Sequence, residues 1–176
     1  MTPSWLWIGL TWGLLLAIRA VFLVTYPLNN LGGDTGNYYY EMMLAGRSNL
    51  VFAPGYPVLL SPVPAAARAL GPLSEAATAT LVLVTQHAID LAVLALVFRA
   101  VRQQHGPGVA VGAALLCGLD PFVMSTASCA YPEWLQGDLI ALMLVLGTIG
   151  MTTTRPPVRW LAAAGMGLAA AWAALT

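Results

Sequence analysis

The stretch AATATLVLVTQHAIDLAVLALVFRAV, residues Ala76–Val101, decides the fold class of this chain. It is longer than the roughly 20 apolar residues that a helix needs to cross a bilayer. Gln86, His87 and Asp90 interrupt it near the middle. Polar side chains inside a span usually bond to a neighbouring helix, and a proton path is the alternative. The stretch therefore predicts a membrane-spanning helix that carries a polar cluster.

The composition of the whole chain favours a membrane protein. Its 176 residues are 59% hydrophobic and only 8% charged, whereas a soluble domain has about 25% charged residues. Mean hydropathy is +0.78. There is no lysine and the formal net charge is zero, so no basic surface indicates nucleic-acid binding. Cys117 and Cys129 are too few for a disulfide framework, and we expect both to be small buried residues.

Four further stretches have the length and apolar character of spans or nearly so. They cover Trp5–Tyr26, Val109–Ala127, Trp134–Met151 and Trp160–Leu175. Together with Ala76–Val101 they predict an all-α polytopic membrane protein, a single module of residues 1–176 with about five transmembrane helices. The N-terminal stretch lacks the basic region of a signal peptide, so we expect a retained first span.

The arginines predict the orientation. Arg99 and Arg102 end the second span, and Arg155 and Arg159 lie between the fourth and fifth. Cytoplasmic loops carry the excess of Lys and Arg, so the N-terminus is predicted to be cytoplasmic and the long loop 27–75 extracytoplasmic. We expect a bacterial inner or plasma membrane location. The acidic residues predicted on the outer side are Asp34, Glu41, Glu75, Asp120, Glu133 and Asp138.

The long external loop contains GGDTGNYYYEMMLAGRSNLVFAPGYPVLLSPV, residues Gly32–Val63. Its spacing of apolar and polar residues predicts an interfacial helix over 35–47, which Asp34 can cap. Prolines then argue against one regular spanning helix and favour a second interfacial or re-entrant segment; they are Pro54, Pro57, Pro62 and Pro64. Connections this long tend to be functional.

The order of these features resembles that of the GT-C glycosyltransferases. Arg19 lies late in the first span, Asp34 follows it, and a Tyr-rich helix and the element Pro54–Pro57 come next. The pattern continues with Gln86 and Asp90, with Asp120-Pro121-Phe122, and with Tyr131-Pro132-Glu133. Within this group the likeness is closer to protein O-mannosyltransferases, lipid A aminoarabinose transferases and related bacterial mannosyltransferases. Such enzymes are several hundred residues long, so the chain resembles their N-terminal portion.

The resemblance implies transfer of a sugar, with inversion, from a polyprenyl-phosphate-linked donor to an acceptor on the extracytoplasmic face. Asp34 matches the proposed general base, which takes the acceptor's hydroxyl proton; a helix cap is its alternative role. The implied partners are the lipid-linked donor, membrane lipids, and either the remaining part of the enzyme or a partner subunit. No cofactor is predicted, and the sequence gives no support for a divalent metal.

Five residues are candidates for substrate binding: Tyr38, Glu41, Arg47, Tyr56 and Glu133. Each has an alternative role. Glu41 suits a solvated helix face, Arg47 an anchor on lipid phosphates as well as a site for the donor phosphate, and Glu133 a helix start. Asp138 is expected to be structural. Arg19 suits either a functional role in the span or a side chain that reaches outward to the interface.

Two other classes of function stay open at this point. One is a catalytically inert membrane scaffold or assembly module. The other is a small lipid transporter or flippase, which His87 and Asp90 favour and the long external loop does not. An inverted repeat would support the transporter, and the spans show none.

Overall fold

A computed structural model describes residues 5–25, 41–45, 55–71, 73–121, 123–124 and 133–175, and all regular structure in these ranges is helical. The helices are α1 (Trp5–Thr25), α2 (Gly55–Leu60), α3 (Pro62–Leu70), α4 (Glu75–His105), α5 (Pro107–Gly118), α6 (Glu133–Thr152) and α7 (Pro156–Ala173). Residues 41–45 form a further helical segment. The prediction of an all-α chain is confirmed.

Within the described ranges, three helices are long and apolar enough to cross a membrane: α1, α4 and α6. This is consistent with a membrane protein. The helix α5 is a shorter apolar helix that ends at Gly118, well before the predicted limit at Ala127. The helix α7 begins at Pro156, four residues before the predicted Trp160, because proline is favoured in the first helical turn. The count of about five spans stays a prediction.

The longest helix, α4, has defined signals at both ends. The hydroxyl of Ser74 accepts a hydrogen bond from the backbone N–H of Ala77, 3.2 Å away, and so caps the first turn. At the other end Gly106 has a φ of 86°, which favours glycine, and Pro107 starts α5 immediately afterwards. With 31 residues, α4 is about 46 Å long and exceeds the ~30 Å hydrocarbon core of a bilayer.

Side-chain contacts fix the relative directions of the three long helices. Arg102 stacks over the ring of Trp5 at 4.9 Å, whereas Arg19 contacts Asp90, so α1 and α4 are antiparallel. Ala79 and Val82 share a buried cluster with Trp134 and Leu135, and Asp90 contacts Asp138, so α4 and α6 run in the same direction. The starts of α4 and α6 therefore lie at one end of the bundle, which we call the acidic end because Glu75 and Glu133 are there. The opposite, arginine end carries Arg99, Arg102, Arg155 and Arg159.

Small residues allow close helix contacts at two places. In the α6–α7 hairpin, a Cβ placed on Gly165 would lie 3.1 Å from Leu146 Cδ1, and one on Gly150 would lie 3.6 Å from Ala162. At the end of α5, a Cβ on Gly118 would lie 2.6 Å from Leu15. Small residues at helix interfaces let backbones approach closely, so these glycines hold α7 on α6 and α5 on α1.

The described parts of the first loop pack onto the acidic end of the bundle. They share one buried cluster with the helix starts, formed by Met42, Met43, Tyr56, Leu60, Ala79, Val82, Trp134 and Leu135. The backbone N–H of Gly55 donates to the carbonyl of Leu175 at 2.8 Å, and Arg68 donates to the Leu44 carbonyl at 2.8 Å. Of the predicted helix 35–47, residues 41–45 are helical and the others lie outside the described residues.

Candidate functional site

Arg19 of α1 is buried in the bundle and contacts two side chains of α4. It forms an ion pair with Asp90, and its Nη1 lies 2.9 Å from Nδ1 of His87. Arginine has no acceptor, so Nδ1 of His87 accepts this bond and carries no proton. Only 2% of the Arg19 surface is exposed. The side chain therefore does not reach outward to the interface, which was one of its two expected roles.

Asp138 brings a third helix, α6, to this cluster. Its carboxyl group lies against that of Asp90. Two neighbouring carboxylates repel each other, and Arg19 is the cation that offsets this repulsion here. Arg19, Asp90 and Asp138 thus join α1, α4 and α6.

Tyr56 connects the first loop to the same region. Its side chain is completely buried, and its hydroxyl donates to Oε1 of Gln86 at 2.8 Å. Its ring lies edge-on to that of Trp134, with centroids 6.2 Å apart. The sequence made Tyr56 a substrate-binding candidate, whereas the structure places it in the core, where it anchors the returning loop to α4 and α6.

An apolar groove of about 600 Å³ runs along the bundle between α4, α5 and α6. Its walls extend from Asp90 to Gln104 on α4 and from Glu133 to Thr148 on α6. Asp90, Asp138 and Glu133 lie where the groove meets the acidic end, and the remaining walls are formed mainly by aliphatic side chains. The groove therefore suits a molecule with a long apolar part and a polar end.

The predicted site residues have different positions in this arrangement. Asp34, Tyr38 and Arg47 lie outside the described residues. Glu41 is exposed on the helical segment 41–45, while Glu133 is exposed at the start of α6 and lines the groove. No group of three or more His, Cys, Asp or Glu side chains in the described ranges is arranged to hold a metal ion.

Some residues of the site were not singled out by the sequence. Trp134 was expected to begin a span and Asp138 to be structural, yet both are buried side chains that line the groove. The sequence contained one signal for this shared position: the two residues are four apart, which places them on one helix face. Cys117 was expected to be buried, whereas it is exposed and also lines the groove.

Comparisons with protein-family models, with curated proteins and with solved structures give no match for this chain. Its function therefore has to be inferred from the side chains at the acidic end and along the groove.

Proposed function

We propose that the chain is a membrane glycosyltransferase, or the N-terminal module of one, that uses a polyprenyl-phosphate-linked sugar. The groove is the observation that carries this proposal, as a site for a lipid acceptor and not for the phosphate-linked donor. Its aliphatic walls and the carboxyl groups at one end fit a lipid substrate whose polar end reacts at the membrane surface. The resemblance of the residue order to GT-C enzymes supplies the reaction type.

The placement of the first loop supports the proposal. The end of α1 at Thr25 and the segment 41–45 both lie at the acidic end. They are the described parts of the chain on either side of residues 26–40. Met42 and Met43 are buried there together with Tyr56 and Trp134. The loop that carries Asp34 therefore starts and returns beside the polar end of the groove.

In the proposed reaction Asp34 acts as the general base. It takes the proton from an acceptor hydroxyl, and the oxygen attacks the anomeric carbon of the sugar. The bond from that carbon to the phosphate oxygen breaks, and its electron pair leaves with the polyprenyl phosphate. The configuration at the anomeric carbon is inverted. Glu41, exposed on the neighbouring helical segment, is proposed to line the acceptor path.

The proposed membrane arrangement has about five spans, with α5 and α7 added to the three longer helices. The arginine end faces the cytoplasm because positively charged residues are retained on that side. The acidic end, the loop and the polar end of the groove then face outward. This side is where lipid-linked sugars would be used in the proposed reaction.

A direct transfer assay tests the proposal. The purified chain in lipid nanodiscs is given polyprenyl-phosphate mannose or polyprenyl-phosphate aminoarabinose with a labelled sugar, together with a membrane lipid extract as acceptor. We expect labelled glycoside and free polyprenyl phosphate from one of the donors, and an Asp34→Asn rate lower by about 10²- to 10⁴-fold. Glu75→Gln, the same carboxyl-to-amide change at the acidic end, should keep the parental rate. An Asp34→Asn variant as fast as the parent would refute the base assignment.

The buried charges favour a lipid transporter as a second candidate. Ionisable residues inside membrane spans mark functional paths by default, and Arg19, Asp90 and Asp138 are such residues. The same nanodisc protein, reconstituted into vesicles, is tested for movement of a fluorescent lipid between leaflets. Lipid movement without sugar transfer would favour the transporter, and absence of both would favour an inert scaffold.

A further inference from the structure

Three buried polar atoms on the groove wall have no hydrogen-bond partner among the described residues. They are Oδ2 of Asp90, Nε1 of Trp134 and Oδ2 of Asp138. The Asp90 oxygen is ion-paired with Arg19, which leaves the other two. The two side chains are only 4% and 8% exposed, and both line the groove. Buried polar groups normally have partners, and because both side chains line the groove, a molecule in the groove is placed to supply them.

The chemistry of the two atoms restricts what that partner can be. The indole Nε1–H only donates, and the free carboxyl oxygen accepts. The two residues lie four apart on one face of α6, with Cβ atoms about 5–6 Å apart, and both side chains line the groove. A hydroxyl fits because it accepts one bond and donates another. An ammonium group cannot accept from the indole, and a fully ionised phosphate has no proton to donate to the carboxyl.

The charges at this end of the groove also disfavour an anion. Arg19 contacts Asp90 at this end of the groove, and its charge is already paired with that carboxylate. Asp138 and the exposed Glu133 add further carboxyl groups on the groove wall. A phosphate headgroup placed there would meet like charges with little compensation, whereas a neutral hydroxyl would not.

The rest of the groove supplies a site for an apolar tail. From Asp90 to Gln104 it follows α4 for about 21 Å, with aliphatic side chains such as Val97, Ala141 and Val145 on its walls. Gly137 keeps the polar end open, since a Cβ placed there meets no atom within 4 Å. A tail in the groove would extend from the hydroxyl toward the arginine end.

We infer that the groove binds a lipid alcohol, with its hydroxyl on Trp134 Nε1 and Asp138 Oδ2 and its tail between α4 and α6. Within the proposed transfer reaction this lipid is the acceptor, and the polyprenyl-phosphate donor binds elsewhere. Only this acceptor role rests on the proposed function. The binding itself does not, and it is measured without a sugar donor.

Photocrosslinking in phosphatidylcholine nanodiscs tests the inference. The probe is geranylgeraniol with a diazirine in its tail, and the competitors are geranylgeraniol, geranylgeranyl phosphate and methyl α-mannoside. We expect crosslinks on α4 and α6 that geranylgeraniol suppresses, and protection of the Cys117 thiol, which lines the groove, from a membrane-permeant maleimide. The phosphate should compete at least tenfold less well, and the mannoside, which has hydroxyls but no tail, not at all.

Three variants locate the contact. Trp134→Phe keeps the ring but removes the donor, and should weaken binding roughly fivefold to tenfold. Gly137→Leu adds a side chain in open space at the groove end, and should abolish crosslinking without a loss of folding. Trp172→Phe is the matched control, because Trp172 also has a buried Nε1 without a partner among the described residues but does not line the groove. Its binding should equal that of the parent.

Several outcomes would overturn the inference. They are equal competition by geranylgeranyl phosphate or by the mannoside, identical behaviour of the Trp134→Phe and Trp172→Phe variants, and unchanged crosslinking in a folded Gly137→Leu variant. Sugar transfer without alcohol binding would refute this inference alone. Alcohol binding without transfer from either donor would refute the proposed function and leave the lipid-alcohol site standing.

Discussion

Arg19 in α1 and Asp90 in α4 form an ion pair that is buried among three helices. Asp138 of α6 lies against the same carboxyl group, and His87 accepts a hydrogen bond from the same guanidinium. Removing one member of a buried pair leaves an uncompensated charge, whereas replacing both by apolar residues is often close to neutral. The pair therefore makes the position of α1 depend on α4.

We predict that Asp90→Leu lowers the free energy of unfolding by about 3–5 kcal/mol. The double variant Arg19→Leu/Asp90→Leu should regain most of this loss, because no buried cation is left without its partner. Thermal unfolding in detergent, followed by circular dichroism, measures both. Arg99→Leu, which removes an exposed arginine from the same helix, should shift the melting temperature little. A double variant as unstable as Asp90→Leu would contradict a paired role for Arg19.

Tyr56→Phe should destabilise the protein by roughly 1–3 kcal/mol, because it removes the hydroxyl that donates to the buried Gln86 Oε1. In the double variant Tyr56→Phe/Gln86→Leu, the change at Gln86 also removes the acceptor of this hydrogen bond. Replacing both partners by apolar groups can be nearly neutral, so the double variant should melt above the single one. Additive losses in this comparison would show that the two side chains are not coupled.

Gly165→Leu should weaken the α6–α7 hairpin by about 1–3 kcal/mol, the usual effect of overpacking. A Cβ there already lies 3.1 Å from Leu146, and the rest of a leucine side chain has no room. Gly167→Leu is the control two positions away, because its Cβ would meet no atom within 4 Å. Melting temperatures of the two variants give the test, and equal values would argue against close packing at Gly165.

The orientation predicts a difference between two single-cysteine variants in a Cys117→Ser/Cys129→Ser background. Glu133→Cys lies at the acidic end and Arg155→Cys at the arginine end, and both positions are exposed. A membrane-impermeant maleimide added to intact cells should label Glu133→Cys at once. It should label Arg155→Cys only after the membrane is permeabilised. The reverse pattern would invert the proposed orientation.

The sequence alone predicted the elements whose signals are local. The apolar stretch around Gln86 and Asp90 became α4 at nearly the expected limits, and the prolines at 57 and 62 accompany a break between two short helices at Ser61. These features depend on length, hydropathy and backbone restrictions within a few residues. They need no knowledge of the distant parts of the chain.

The arrangement of the site depends on contacts that are distant in sequence. Arg19 could not be assigned to Asp90 from the sequence, since a span arginine can equally reach the interface. The role of Asp138 depends on the parallel placement of α4 and α6, and the exposure of Cys117 depends on where α5 ends. Such choices are decided by helix packing, which local patterns do not encode.

The hydrogen bond from Gly55 to Leu175 has a consequence for how the protein assembles. Contacts between residues so far apart in sequence form late, because the intervening loop must be closed first. During synthesis the first loop emerges long before residue 175, and a chain halted after α4 would have neither Trp134 nor this carbonyl to receive it. The acidic end of the bundle is therefore closed last, after α6 and α7 have been synthesised and have packed against each other.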